Sequence, residues 1–386
     1  MNKINLLIIT DTYIGLPGGS ERHLLNFLTC LDYNKFNVFA VQMYPDSLDV
    51  KNLALLHNIQ GLTLFHMPLN SIKSFNFFSL CLKLRKLVKY NKINLIVSYH
   101  EKSDLLNYCL SLCVSKDVIH VSSRRDLGFK LNGILKQLIK TITPKFNYFT
   151  TPSKSIKEML VSEYHVQPEN IHVVANGVDL NLYSMAAVSD KNFFSKELRI
   201  KDDSFVAVCV GSLKSVKGHD FLIRSFSEFC DSSLHDWHLI IIGTGPLEEQ
   251  LVNLSNSLNQ ENIHFVGLQT KVETWLRNSD LIVSSSSSEG LSNAIIEGIA
   301  SGLPVIATNV GGSPELVNVN INGILIDFDN EDQCIDAFNF FDRNPNKLLE
   351  FGNNSRCFAE KEFANHIMVE RLQTLYENIA ISSGNK

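Results

Sequence analysis

The sequence predicts an α/β protein built twice over: two doubly wound parallel sheets, each covered by helices on both faces. Three observations predict it. Apolar runs of strand length alternate with amphipathic runs of helix length along most of the chain, the pattern of parallel strands joined by crossover helices. The cycle stops in a polar, charged stretch, VSDKNFFSKELRIKDDS, and starts again after it. At 386 residues the chain exceeds one core and suits two domains of roughly 180 to 200 residues.

The elements follow in order. Residues 4–9 read as a buried strand, and a glycine turn at 15–19 follows it. A helix beginning near Ser20 puts Leu24, Leu25 and Leu28 on one face. Residues 37–42 form a second strand, and a helix at 79–90 feeds a strand at 93–98. Cys109 and Cys113 stand one helical turn apart, and strands follow at 118–122 and 148–151. The run IHVVANGVDLNLY is a strand entering a glycine turn, and the polar stretch after it divides a first domain, 1–185, from a second, 186–365. The second half then reads strand at 205–211, helix at 220–230, strand at 237–242, helix at 246–258 and strand at 263–266. A helix at 270–278, a strand at 281–284, a helix at 292–301 and a strand at 304–308 continue the alternation.

Composition narrows the function classes. The chain is 45% hydrophobic and 19% charged, which supports large cores and excludes disorder. Eight cysteines show neither a CxxC pair nor metal-ligand spacing, which fits a reduced, cytosolic compartment. The opening MNKINLLIITD is a poor signal peptide, since its apolar run meets Asp11 without a small-residue cleavage site. No uncharged apolar run reaches the ~18 residues of a membrane-spanning helix, so any membrane contact is peripheral. The net charge of −5 hides an asymmetry: residues 1–185 carry 20 Lys and Arg against 13 Asp and Glu, and the remainder 15 against 27. The basic excess concentrates in residues 71–145, with 14 against 4. Charge alone leaves two readings open: solvated faces, or a basic surface for an anionic membrane or a phosphorylated acceptor.

The stretch SSSSSEGLSNAIIEG, residues 284–298, carries the chemistry. Glu289 lies at the carboxyl end of a predicted strand, where sheets of this kind bind ligands. Gly290 lets backbone approach a ligand, and Ser292 can cap a helix whose free N–H groups make an anion site. Glu297 falls about one turn into that helix, and eight helical residues span at most about 12 Å. Two carboxylates could therefore meet hydroxyls at both ends of a ligand whose phosphates sit between them, the layout of a nucleotide-sugar. The pair alone leaves a plainer alternative open: a solvated helix glutamate and a loop charge.

The longer segment EGLSNAIIEGIASGLPVIATNVGGSPELV resembles the signature of the family 4 glycosyltransferases, retaining enzymes of the GT-B fold, whose hallmark is a glutamate pair separated by seven residues. GGSERHLLNF resembles the family's glycine-rich loop and first helix, VVANGVDLNLY its turn before the second domain, and VGSLKSVKGHDFLIRSF its phosphate-binding strand and helix. GTGPLEEQL, FVGL and NGILI follow in the family's order. The resemblance implies two Rossmann-like domains facing across a cleft, with a final helix from about 366 to 386 that crosses back to the first. It implies that Glu297 binds the ribose hydroxyls and Glu289 the donor hexose, with backbone from Gly290 through Leu291 and Ser292 to Asn293 near hexose and diphosphate. Lys217 would neutralise the departing diphosphate, where charge grows in the transition state. Gly18 and Gly19 would approach the same phosphates from the first domain, while Gly243 and Gly245 either shape the nucleotide pocket or make an ordinary strand-to-helix turn.

Two positions depart from the family pattern. Where an arginine often follows the glycine of the phosphate-binding motif, this chain has Ser212, with Lys214 as a candidate substitute. Where many members carry a histidine after the strand at 118–122, the run VSSRRDLGF puts Arg124 or Arg125, candidates for a donor or acceptor phosphate, with Asp126 as their partner. His100, in VSYHEKSD, ends an earlier strand and reads either as structural or as facing the cleft. The expectation is a metal-independent, cofactor-free hexosyltransferase in which the nucleotide-sugar, a UDP-sugar by preference, is a substrate. Its acceptor would be a glycan or lipid-linked hydroxyl in cell-surface polysaccharide synthesis, at the inner face of the cell membrane, with no nucleic acid involved. A nicotinamide dehydrogenase is disfavoured because Gly15, Gly18 and Gly19 do not make its glycine fingerprint. An epimerase or hydrolase of nucleotide-sugars on the same fold, and a non-catalytic binding homologue, remain the alternatives.

Overall fold

Two compact units make up the chain: Met1–Gly177 with Asn365–Lys386, and Val178–Ala364. The computed structural model describes residues 3–12, 14–15, 19–44, 56–72, 75–126, 133–185 and 192–384.

The first unit carries strands β1 (Ile4–Thr10), β2 (Phe36–Gln42), β3 (Leu62–His66), β4 (Leu95–Tyr99), β5 (Ile119–Ser123), β6 (Tyr148–Thr151) and β7 (Ile171–Val173). Between them run helices α1 (Gly19–Cys30), α2 (Phe75–Tyr90), α3 (Glu101–Ser111), α4 (Gly133–Ile142) and α5 (Lys154–Tyr164). The strands are all parallel, in the order β3-β2-β1-β4-β5-β6-β7. The second unit holds α6 (Phe193–Leu198), β8 (Phe205–Val210), α7 (His219–Cys230), β9 (Trp237–Ile242), α8 (Glu248–Ser257), β10 (Ile263–Phe265) and α9 (Val272–Asn278). It continues with β11 (Leu281–Ser284), α10 (Asn293–Ala300), β12 (Val305–Thr308), β13 (Gly323–Ile326), α11 (Glu331–Arg343) and α12 (Asn346–Glu362). Its parallel strands run β10-β9-β8-β11-β12-β13, which repeats the order of the first unit's first six. The last helix, α13 (Asn365–Gly384), belongs to the first unit.

Strand β1 shows why the sheet needs helices on both sides. Side chains alternate across a strand, so Leu7 and Ile9 join one core with Leu80, Leu84 and Leu87 of α2 and Leu105 and Leu106 of α3. Leu6 and Ile8 join another with Leu24, Phe27 and Leu28 of α1 and Met368, Val369, Leu372, Tyr376 and Ile379 of α13. No helix among the described residues is long and apolar enough to cross a membrane.

Several elements differ from the sequence expectation. The units divide after Gly177, eight residues before the expected boundary. Val178 N–H bonds the Phe363 carbonyl at 2.7 Å, and the Arg356 guanidinium gathers the carbonyls of Leu180, Tyr183 and Ala300, so residues 178–185 pack with the second unit. Part of the polar stretch folds there too, with Phe193 and Phe194 of α6 against Trp275 at 5.1 and 6.0 Å. The edge strand β3 escaped the sequence because LTLFH is only partly buried. Helix α2 begins at Phe75 rather than 79, and α3 ends at Ser111, which leaves Cys113 in the following turn.

Candidate active site

In a doubly wound sheet ligands gather outside the carboxyl ends of the strands, where the strand order reverses. In the second unit that point lies between β8 and β11. The chain leaving β8 runs through Gly211 and Ser212 into the short 3₁₀ turn Ser215–Lys217, and the chain leaving β11 runs through the serines to Glu289. The topology thus brings Lys217 and Glu289 together although 72 residues separate them.

The serine run is a set of braces rather than a linker. Ser284, Ser285 and Ser286 are buried. Ser285 Oγ donates to the Lys217 carbonyl at 2.9 Å, and Ser287 N–H to the Val216 carbonyl at 2.8 Å. Thr308 Oγ1 donates to the Ser286 carbonyl at 2.6 Å, so β12 holds the loop from the other side. Small hydroxyl side chains suit this place because each can satisfy a backbone carbonyl that burial would otherwise leave unpaired.

Glu289 sits within this frame. Its Oε1 accepts from Lys217 Nζ in a close ion pair and from Ser286 Oγ at 2.8 Å. Its backbone carbonyl accepts from Gly312 N–H at 3.2 Å. Gly311, at φ 53°, packs so closely there that a Cβ would strike the Glu289 carbonyl. The turn at Gly311 and Gly312 is a support that sequence reasoning quoted but did not assign; the doubled glycine after β12 was its signal. Ser292 caps α10 by accepting from Ile295 N–H at 3.4 Å. Glu297, one turn on, is only 7% exposed, and the Glu289 side chain 12%, which removes the alternative of two solvated charges. Leu291 and Ser292 are buried, and Gly290 and Asn293 are half-buried at the loop-to-helix junction.

Glycines shape the phosphate-side turn. Gly218 has φ 60°, and a Cβ there would meet the Ser285 carbonyl. Side chains on Gly243 or Gly245 would strike the backbone of Gly211 and Leu213 respectively. Close packing of the β8 and β9 exits therefore requires glycine at both. Ser212 is exposed, and its carbonyl lies 3.4 Å from Nε2 of the buried His219, whose imidazole burial lowers below its usual pKa.

The first unit has its own reversal point, between β1 and β4. His100 follows β4 with φ 71° and ψ 170° and is the N-cap residue of α3. That conformation is nearly confined to glycine and costs about 1–3 kcal/mol, the kind of strain that gathers at functional sites. Asp11 follows β1, a charge ending a buried strand. Its Oδ2 accepts from Lys102 N–H at 3.2 Å, and among the described residues its buried Oδ1 has no hydrogen-bond partner. Burial first, then Glu101, pushes its carboxyl up to about 7.

Arg124 requires a correction. Its residue is 2% exposed and its guanidinium turns inward to Asp104 at 2.9 Å, with Glu101 at 3.9 Å and the Tyr164 ring at 5.7 Å. Asp104 is therefore the carboxylate that neutralises it, because an arginine this deep must be neutralised inside. Asp104 also accepts from Ser98 and Ser122, and burial still pushes it up to about 6. Arg125 is different: half-buried, it donates to Asn176 Oδ1 at the NGVD turn, and burial lowers it to about 10, so it stays charged at neutral pH. Gly19 opens α1 and is exposed, while Gly18 lies outside the described residues. Among the described residues no group of three or more His, Cys, Asp or Glu is placed to hold a metal ion.

Comparison with known proteins agrees with this architecture. Residues 17–182 match the model described as Glycosyltransferase Family 4, and residues 190–358 the one described as Glycosyl transferases group 1. An uncharacterised glycosyltransferase of Haemophilus influenzae is 25% identical over 366 residues, 93% of this chain and 96% of its own. The Escherichia coli UDP-Gal:alpha-D-GlcNAc-diphosphoundecaprenol alpha-1,3-galactosyltransferase is 26% identical over 268 residues, 66% of this chain and 68% of its own. Anabaena HepE in complex with UDP has a TM-score of 0.81 over 97% of this chain and 100% of that one, at 19% identity, a likeness of fold.

Proposed function

This chain belongs to the family 4 glycosyltransferases and has their GT-B fold, and from that premise we propose that it is a retaining hexosyltransferase. It moves a hexose from a UDP-sugar to a hydroxyl of a lipid-linked glycan, in the synthesis of a cell-surface polysaccharide at the inner face of the membrane. The observation that carries this reading is the Lys217–Glu289 pair, held at the switch point of the second sheet beside the N-terminus of α10, with Glu297 buried one turn along.

Each group has a role that its position supports. Glu297 holds the ribose hydroxyls and Glu289 the hexose hydroxyls, both as partly desolvated acceptors whose bonds are strong. Lys217 and the positive end of the α10 helix dipole balance the charge that grows on the leaving diphosphate, the task a divalent ion performs in other transferases. In the transfer the acceptor oxygen bonds to the anomeric carbon as the bond from that carbon to the phosphate oxygen breaks. The acceptor's proton goes to the departing phosphate on the same face, which preserves the anomeric configuration. Arg125 and His100, both in the first unit, are assigned to the acceptor, Arg125 because it keeps its charge and His100 because its backbone is strained. The lipid-linked acceptor and the uridine base are supported by the E. coli relative's diphosphoundecaprenol substrate and the UDP bound to HepE.

Calorimetric titration with UDP and with GDP tests the donor site. The expected result is tight binding of UDP, weakened about tenfold or more in Glu297→Ala, the loss of charge-assisted hydrogen bonds. Failure of the folded protein to bind either nucleotide would overturn the proposal. An NMR assignment of the product with an inverted anomeric centre would overturn its retaining part.

A further inference from the structure

Helix α2 is apolar on both sides, and only one side is used by the fold. Phe77, Leu80, Leu84, Leu87 and Val88 are buried. On the opposite side Phe75 is 85% exposed, Phe78 66% and Leu82 59%. Their spacing of three and four residues places them on one face, one above another. Lys86 and Lys89 continue the same stripe, and Lys83 and Arg85 flank it; all four are exposed, and the helix contains no acidic residue. Tyr90, 88% exposed, ends it. Arg85 Nε bonds the Cys113 carbonyl at 3.0 Å, which brings the turn carrying the 68% exposed Leu112 beside it.

We propose that this outer face of α2 docks the protein on the surface of an anionic lipid bilayer. The inference deepens the proposed function, which puts the acceptor in a membrane, and rests on that reading for its purpose. Charge complementarity selects the occupant. Phe75, Phe78 and Leu82 present on the order of 400 Å² of apolar surface, about half of what one partner gives to a stable protein interface. A helix lying in a bilayer interface needs only such an apolar stripe, bordered by lysines whose stems reach the headgroups. Each basic side chain near an anionic surface adds attraction that salt screens. The exposed basic residues of the helix itself, Lys83, Arg85, Lys86 and Lys89, give this face a long-range pull.

The test is sedimentation of the full chain with vesicles of phosphatidylcholine alone or mixed with phosphatidylglycerol, alongside UDP titration of every variant. The wild type should bind the mixed vesicles, more weakly at high salt, and bind neutral ones poorly. Lys86→Glu with Lys89→Glu should weaken vesicle binding by more than about tenfold, and Phe75→Ser, Phe78→Ser and Leu82→Ser together by a similar factor, with UDP binding unchanged in both. Wild type that binds UDP but stays with neither vesicle overturns the inference and leaves the proposed function standing. Vesicle binding without UDP binding does the reverse. Vesicle binding equal in wild type and both variants, or concentration-dependent dimerisation abolished by the triple substitution, would also overturn it.

Discussion

At the residue scale, the two charges assigned opposite tasks turn out to hold each other. Lys217 and Glu289 are paired while each also belongs to a loop pinned by the serine run. Asp11 shows what burial does to a carboxyl whose Oδ1 has no hydrogen-bond partner among the described residues. Its carboxyl is raised to about 7, so between the unfolded value near 4 and 7 the folded state holds a proton that the unfolded state has lost. Stability from this group is therefore greatest at low pH and falls as pH rises through that window. Asp11→Asn should remove the fall: its melting temperature should overtake that of the wild type as pH rises from 5 to 8, at up to about 1.4 kcal/mol per pH unit. Because buried histidines such as His120, lowered to about 4, act in the opposite sense at low pH, the quantity to measure is the difference between the two proteins. Parallel profiles would show that Asp11 is ionised throughout.

At the element scale, the terminal helix is a component of the first unit's core rather than an appendage. Leu372 and Tyr376 of α13 are each 1% exposed, and the Tyr376 ring meets Phe27 of α1 edge-on at 6.0 Å. Asn26 and Gln373 add polar ties, to Asn365 at 3.0 Å and to Asp32 N–H at 2.8 Å. Leu372→Ala should destabilise the first unit by about 2–5 kcal/mol, transfer plus cavity, against little for Ile381→Ala, which is half exposed. Urea unfolding of the two variants measures this, and equal midpoints would mean that the helix docks only loosely. The sequence displayed an amphipathic segment here but not its destination, because a helix's apolar stripe states that a partner exists without stating which. The same ambiguity concealed α2, whose stripe at Phe75, Phe78 and Leu82 reads like a core face until the structure shows the core on its other side.

At the scale of the whole molecule, the second unit is one continuous stretch and the first is two. Residues 178–364 should accordingly fold alone and bind UDP, while 1–177 without α13 leaves Leu24 and Phe27 uncovered and should aggregate unless a 365–384 peptide is supplied. Gel filtration and calorimetry of the fragments decide this; an unfolded 178–364 would mean that the units depend on each other. What the sequence by itself determined is the fold class, most of the strands in chain order and the loops to which the proposed chemistry is assigned. Those follow from local signals: apolar runs of buried strands, glycines that alone fit a turn such as Gly218, and a serine at the start of a helix. Only the tertiary structure decided which charges meet. It gave Arg124 to Asp104, left Arg125 half-buried beside Asn176, and raised Asp11 at the switch point of the first sheet. Pairing and burial depend on strands adjacent in space but distant in the chain, and no local pattern encodes the depth at which a side chain will lie.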